Sequence, residues 1–283
     1  VATNPAARRQ AIEDRLNRRA RAERVDVNRL RRALVFERLL VRLESGDPGA
    51  WVIKGGMALE WRLGLRARAT RDLDLVVRGE EHSAIGLRNR LVELLTEDPQ
   101  ADHFVFEVGP AAPLDVGFRF PLRATLAGRE FASVRVDVAA RSHELLATEH
   151  LHLPPAVPAY DAFFQPQVEL AATSQQFAEK LHALTRNYGD HPNTRVRDLV
   201  DLMILIESDL VEVDEIVPVV HHVFESRGLQ AVPEEIPEPP SGWSREYALL
   251  AVQTGLTART LGEALAHLRR VWVAARRVGS DDG

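Results

Sequence analysis

The sequence predicts an α+β fold, with a mixed or antiparallel sheet and its helices in the first half and a mostly helical second half. Three observations carry this reading. The segments "HFVFEVG" (103–109), "DVGFRFPLRATL" (115–126) and "FASVRVDVAAR" (131–141) alternate with period two and have short connections, as antiparallel strands do. Beyond about residue 145 the apolar spacing becomes helical, over 167–187, 195–208, 212–225, 244–252 and 258–277. Between the two patterns lies a proline-rich connection, "LPPAVPAYDAFFQP". The expected domains are therefore 1–150, including a helical extension over 1–48, and a helical region over 151–283 that completes the active-site cleft.

Taken in order, residues 6–24 and 27–46 read as helices. In the second, Leu30, Leu34, Leu39, Leu40 and Leu43 recur near helical spacing, and "GDPG" stops it. "AWVIKGG" is a short buried strand ending in a glycine turn, "MALEWRLG" a short helix, "RDLDLVVRG" a strand and "EEHSAIGLRNRLVELLTED" a helix. In the second half an acidic, proline-rich loop, "VPEEIPEPPSG", interrupts the helices, and Thr260 with Glu263 forms a capping box inside the last one.

Composition narrows the chemistry. The 283 residues contain no cysteine, which excludes a disulfide frame, a thiolate nucleophile and a Cys-ligated zinc. No apolar run approaches the roughly 20 residues that span a bilayer, and the first residues lack the apolar stretch of a secretory signal. The expectation is a cytoplasmic monomer without a membrane partner. The net charge of −5 argues against a general nucleic-acid coat protein. Yet residues 1–32 hold ten arginines against four acids, and Arg62, Arg66, Arg68 and Arg71 follow. Local positive surface on an acidic chain suits a phosphate-rich ligand met at one face. The chain has 34 arginines and two lysines, Lys54 and Lys180.

Asp72 and Asp74 sit two residues apart on a strand, so their carboxylates share a face while Leu73, Leu75 and Val77 point into a core. Such a pair can hold Mg²⁺, a hard ion that also takes phosphate oxygens. Lys54, Gly55 and Gly56 end the preceding strand and open a helix, where backbone N–H groups can approach a phosphate. On "SVRVDVAA", Val134, Val136 and Val138 face the core, which leaves Asp137 with Arg135 on the opposite face as a third carboxylate for the metal. In the helical half, Lys180 stands among Phe177, Leu181 and Leu184, and Asp198 and Asp201 share a helix face.

These segments, in this order, resemble the nucleotidyltransferase-fold toxins of the AbiEii type, which include the MenT toxins. Gly55, Gly56, Arg68, Thr70, Arg71, Asp72, Leu73 and Asp74 look like the first motif of that family. Asp137 matches the second, Glu179-Lys180-Leu181 the third, and Arg197-Asp198-Leu199-Val200-Asp201-Leu202 the fourth, commonly R-x-x-D-L-x-D-L. Arg71 stands where many members have lysine, and Thr70 where serine is common. The resemblance implies a nucleotidyltransferase-like sheet, Mg²⁺, and a nucleoside triphosphate (CTP or another) as substrate. It implies transfer to the 3′ CCA acceptor end of tRNA, which blocks aminoacylation and translation, and a cognate antitoxin encoded nearby.

On that reading Asp72, Asp74, Lys180 and Asp201 are catalytic, and Lys54, Gly55, Gly56, Thr70, Arg71 and Asp198 bind the nucleotide. Asp201 either orients Lys180 or moves a proton. Thr70 is also a candidate phosphorylation site, where a phosphate would add about −1.5 to −2 charge beside two carboxylates; its hydroxyl could instead serve nearby backbone. Alternatives are nucleotidyl or phosphoryl transfer to a small molecule or a protein, and, from another class, an inactive nucleotide-binding module. The complete carboxylate set with Lys180 argues against the last.

Overall fold

The computed structural model describes residues 4–79, 83–157 and 165–281. The expected start of the helix at residues 80–82 and the middle of the proline-rich connection, 158–164, lie outside the described residues. The chain divides into two compact units. One comprises Val1–Met57, Ala69–Ser142 and His150–Leu170, the other Ala58–Arg68, His143–Glu149 and Ala171–Gly283.

In the first unit, helix α1 (Pro5–Glu23) starts with proline at its first turn and with the Asn4 side chain accepting from the Ala6 N–H. Helix α2 (Val27–Gly46) is capped by Asp26 in the same way. Strand β1 (Trp51–Lys54) runs straight into helix α3 (Gly55–Leu63), whose residues from Ala58 belong to the second unit, and β2 (Asp72–Val77) and α4 (Ala84–Thr96) follow. Then come β3 (Phe104–Val108), the short β4 (Ala112–Pro113), β5 (Phe118–Leu126) and β6 (Arg129–Ala139). Strands β7 (Thr148–His152) and β8 (Gln167–Ala171) complete a mixed sheet of order β3-β5-β6-β2-β1-β8-β7, with β4 paired to β5. The three alternating segments are antiparallel as expected, whereas β2–β6 and β1–β8 are parallel.

One strand corrects the expected helical run. Residues 167–171 form β8 rather than the start of a helix, which begins only at Thr173, and residues 148–152, to which no element was assigned from the sequence, also pair into the sheet. Val168, Glu169, Leu170 and Ala171 are all buried, so β8 shows no in–out alternation. A parallel strand covered on both sides leaves no period-two signal to read. Glu169 is tolerated there because Arg78 pairs with it.

Much of the basic N-terminal segment is engaged within this unit. Arg9 donates to the carbonyls of Leu126 (3.0 Å), Arg129 (2.8 Å) and Glu130 (2.9 Å). These flank the two-residue turn between β5 and β6, where Ala127 and Gly128 both have positive φ, at 53° and 70°. Such a primed turn matches the twist of the strands, but alanine is strained in it. Arg19 donates to Ala156 O at 2.8 Å, Arg31 to Glu13 at 2.6 Å and Arg32 to Thr70 O at 3.3 Å.

The second unit is built from α5 (Thr173–Thr185), α6 (Val196–Glu207), α7 (Val213–Arg227), α8 (Trp243–Thr254) and α9 (Leu261–Asp281). Phe177, Leu199, Leu202, Val220, Phe224, Tyr247 and Trp272 lie in its buried core. The acidic proline-rich loop is pinned by Trp272, which donates to Pro233 O (3.1 Å), and by Arg269, which donates to Ile236 O (2.9 Å). Thr260 and Glu263 form the reciprocal capping box, placed at the start of α9 rather than within it. Among the described residues no helix is long and apolar enough to cross a membrane.

One buried ion pair carries a stability prediction. Arg42 and Asp102 are both fully buried, bonded through two contacts of 2.7 and 2.8 Å, and Arg42 also donates to Phe104 O at 3.0 Å. Arg42→Leu leaves the Asp102 charge uncompensated, and the expected loss is about 3–5 kcal/mol. Urea denaturation of the variant against the parent chain measures it; a loss below about 1 kcal/mol would show the pair to be dispensable.

Candidate active site

The first unit collects its carboxylates by strand register. Parallel pairing of β2 with β6 sets Asp72 beside Arg135 and Asp74 beside Asp137. Lys54 of β1 is the other neighbour of Asp74, and Arg119 of β5 is the other neighbour of Asp137. Four adjacent strands thus carry a row Lys54, Asp74, Asp137, Arg119 across one face of the sheet. The intervening residues Leu73, Leu75, Val136 and Val138 are buried. The outcome for these positions is the alternation expected from the sequence.

The basic residues grip the acids. Arg119 donates to both oxygens of Asp137, at 2.8 and 2.7 Å, and Arg135 donates to Asp72 at 2.5 Å. The hydrogen bond to Asp137 raises the Arg119 pKa against the opposing effect of burial, and the charges of Asp137, Asp72 and Asp74 add to the rise. All three carboxylates are therefore felt at one guanidinium. Among the described residues no three His, Asp or Glu side chains are arranged as a metal cage. Asp137, expected as a third ligand, has both oxygens on Arg119. A two-carboxylate set still fits Mg²⁺, which keeps waters and phosphate oxygens in its shell and seldom uses an all-protein cage.

Gly55 is fitted to Asp74. Its φ is +68°, and a Cβ there would lie 1.9 Å from Asp74 Oδ2. Only glycine satisfies both the backbone conformation and the approach. Gly56 follows in the first turn of α3. Thr70 precedes β2, is 8% exposed and donates from its hydroxyl to Asp72 O at 3.3 Å. Arg71 lies between Thr70 and Asp72.

The second unit holds a separate cluster. Lys180 of α5 sits 2.9 Å from Asp198 Oδ1 and 2.9 Å from Asp201 Oδ2, both acids belonging to α6. Arg68 donates to both oxygens of Asp201, at 2.7 and 2.8 Å. Asp201 is 0% exposed. Burial alone would lower the Lys180 pKa, but the charges of Asp198 and then Asp201 outweigh it and hold the ammonium above its ordinary value. Burial would likewise raise Asp201, but the charges and hydrogen bonds of Lys180 and Arg68 hold it below the carboxylate range. A carboxylate so held is a poor proton acceptor near neutral pH. Of its two expected roles, orienting Lys180 is the one its surroundings suit.

Sequence reasoning missed the forks that Arg68 and Arg119 make. Alternation puts Arg119 on the Asp137 face only once the β5–β6 register is known. In the fourth motif the arginine near the acids is Arg195, whose Nη1 lies 3.8 Å from Asp198. Arg197 is exposed and 3.9 Å from Glu246. Counting R-x-x-D back from Asp198 would have found Arg195.

Removing the Asp201 charge takes away the buried acid that Lys180 and Arg68 share. Asp201→Ala should destabilise the protein by about 3–5 kcal/mol, whereas Arg245→Ala, at an exposed position on α8, should cost under about 0.5 kcal/mol. Denaturation midpoints of the two variants test this contrast, and equal midpoints would refute it.

Known proteins resemble this arrangement. Residues 38–274 match the family described as nucleotidyl transferase AbiEii toxin, type IV TA system. No curated protein matches the chain at a significant level. Among solved structures, the nucleotidyltransferase toxin MenT4 from Mycobacterium tuberculosis H37Rv is 22% identical, covers 87% of this chain and 92% of its own, and superposes with a TM-score of 0.50. A proposed nucleotidyltransferase from H. pylori is 16% identical over 88% of this chain and 96% of that one, with a TM-score of 0.43. An antigenic nucleotidyltransferase-like protein from Paracoccidioides brasiliensis is 16% identical over 69% and 88%, with a TM-score of 0.40. The MenT4 likeness extends to the fold. The family match spans most of the chain and includes every residue of both charged clusters, so this protein belongs to the AbiEii nucleotidyltransferase toxin family.

Proposed function

We propose that the chain transfers a nucleotide from a nucleoside triphosphate, CTP or another, to the 3′ CCA end of tRNA, and so blocks aminoacylation and translation. The observation that carries this reading is the carboxylate pair Asp72 and Asp74 on one strand face, with Gly55 pressed against Asp74. The enzyme works as a cytoplasmic monomer, kept silent by an antitoxin encoded nearby.

Asp72 and Asp74 would hold Mg²⁺, with Asp137 beside them. The ion, when bound, supplies charge neutralisation and alignment for phosphate chemistry. The chain's own residues do the rest. Gly55 and Gly56 leave the start of α3 without side chains, so a triphosphate can approach its backbone N–H groups. Lys54 and Arg71, either side of the carboxylates in register and sequence, balance phosphate charge. Lys180 presents a compact ammonium, fixed by Asp198 and Asp201, to the same end. Asp201 positions Lys180 and keeps its own charge.

The direct test incubates the protein with Mg²⁺, total tRNA and each labelled triphosphate in turn. Label at the tRNA 3′ end supports the proposal; label only on a small molecule or a protein would favour those acceptors instead. In this assay Asp72→Asn and Asp74→Asn should each lower transfer by on the order of a thousandfold, the several kcal/mol that a metal site contributes. Activity within tenfold of the parent in either variant removes the paired-carboxylate reading.

Lys180→Arg should lower transfer by about a hundredfold, although arginine is this chain's usual cation, because a planar fork does not replace a point charge held by two acids. The variant's transfer rate at saturating triphosphate decides this. Full activity would make Lys180 a structural residue only.

A further inference from the structure

Arg119, the cation at the end of the charged row, has no part in the reaction proposed above. The sheet nevertheless fixes its place closely. Strand β4 pairs Ala112 with Arg119 on one side, and β6 pairs Asp137 with it on the other. Gly117, two residues earlier, has a φ of +80°, and a Cβ there would lie 2.0 Å from Val138 O. Only glycine lets β5 enter so near the residue that follows Asp137. A glycine pressed against β6 thus stands behind Arg119, as Gly55 stands against Asp74.

The acids of the row are held unequally. Asp72 is bonded at Oδ1 by Arg135, and the two side chains are 29% and 46% exposed. An exposed pair of this kind is worth at most about fivefold in an equilibrium, so an incoming cation displaces it. Asp137 is bonded at both oxygens by the Arg119 fork, with side chains 15% and 34% exposed. A fork on both oxygens covers the side of the carboxylate that would chelate an ion. The fork uses Nε and Nη2 of Arg119, and among the described residues nothing accepts from Nη1. The hydrogen bond to Asp137 raises the Arg119 pKa first, and the charges of Asp72 and Asp74 add to the rise. The guanidinium therefore lies within electrostatic reach of the acid pair, with donors to spare.

We propose that Arg119 meets the triphosphate through Nη1, as a second positive charge beside the divalent cation, and that Asp137 serves as its anchor rather than as a metal ligand. This rests on the proposed reading in taking a triphosphate as the ligand and Asp72 with Asp74 as the cation's place. Asp137 is then a positioning residue, acting through the guanidinium it orients. A guanidinium suits the task because it spends two donors on its anchor, stays charged and keeps others for a phosphate oxygen. An ammonium in its place would keep the charge but not the fork. The fixed charge of Arg119 also disfavours a second divalent ion at Asp137.

Calorimetry on the full chain tests this, first with Mn²⁺ alone and then with inorganic tripolyphosphate at saturating Mn²⁺. Asp74→Asn should weaken Mn²⁺ binding by on the order of a hundredfold, as loss of a ligand does. Asp137→Asn, which keeps the side chain's shape, should leave Mn²⁺ binding within about threefold of the parent, the range of an exposed charge nearby. Tripolyphosphate should bind about ten- to a hundredfold more weakly to Arg119→Gln, from the loss of a charge-assisted hydrogen bond. Arg119→Lys should recover part of that loss, and Asp137→Asn should show part of it. If Asp137→Asn loses Mn²⁺ as Asp74→Asn does, Asp137 is a metal ligand; the Arg119 assignment is overturned and the paired-carboxylate reading stands. Unchanged tripolyphosphate binding in Arg119→Gln overturns the assignment equally. If Asp74→Asn keeps the parent's Mn²⁺ affinity while Arg119→Gln still loses tripolyphosphate, the paired-carboxylate reading fails and the phosphate contact of Arg119 stands.

Discussion

The register between β2 and β6 is the constraint on which the first unit depends. It sets Leu73 beside Val136 and Leu75 beside Val138 on the buried side, and Asp74 beside Asp137 on the other. A slip of β2 by one residue against β6 would drive Asp72 and Asp74 inward and Leu73 and Leu75 outward. Each buried, unpaired charge would cost several kcal/mol. The core therefore holds the charged row in place, and the row forbids the core any other pairing. Gly55 adds a second lock, since its missing side chain is the space that Asp74 occupies.

Arginine and lysine divide the work by shape. Arg9, Arg19, Arg42 and Arg269 collect backbone carbonyls at turns and loop ends, a task that needs several donors in a plane. Arg68 and Arg119 fork onto single carboxylates. The two lysines stand where a small charge meets acids. Lys54 neighbours Asp74 across the sheet, and Lys180 sits between Asp198 and Asp201. Their rarity in the sequence is matched by their placement in the two charged clusters.

The parts of this molecule that follow from local periodicity were legible in the sequence. Alternation on "RDLDLVV" and "SVRVDVAA" separated Asp72, Asp74 and Asp137 from their apolar neighbours, and "KGG" marked the strand-to-helix turn. The parts that depend on long-range pairing were not legible. Strand β8 has buried residues at four successive positions and so mimics the helix that follows it. The forks from Arg119 and Arg68 reach acids 18 and 133 residues away. No local pattern separates those arginines from the chain's many others. The N-terminal arginines read as a cationic face because composition counts charges and cannot count carbonyls.

The staple that Arg9 makes on the β5–β6 turn bears on how quickly the protein comes apart. The hairpin is local, its strands only two residues apart at the turn, and can pair early. Arg9 reaches Leu126 across 117 residues of sequence, so its three hydrogen bonds close a long loop and are expected to form after the hairpin. Contacts absent from the transition state leave the folding rate nearly unchanged and slow unfolding instead. The strained Ala127 is thereby held by a contact whose effect lies mainly in the lifetime of the folded hairpin.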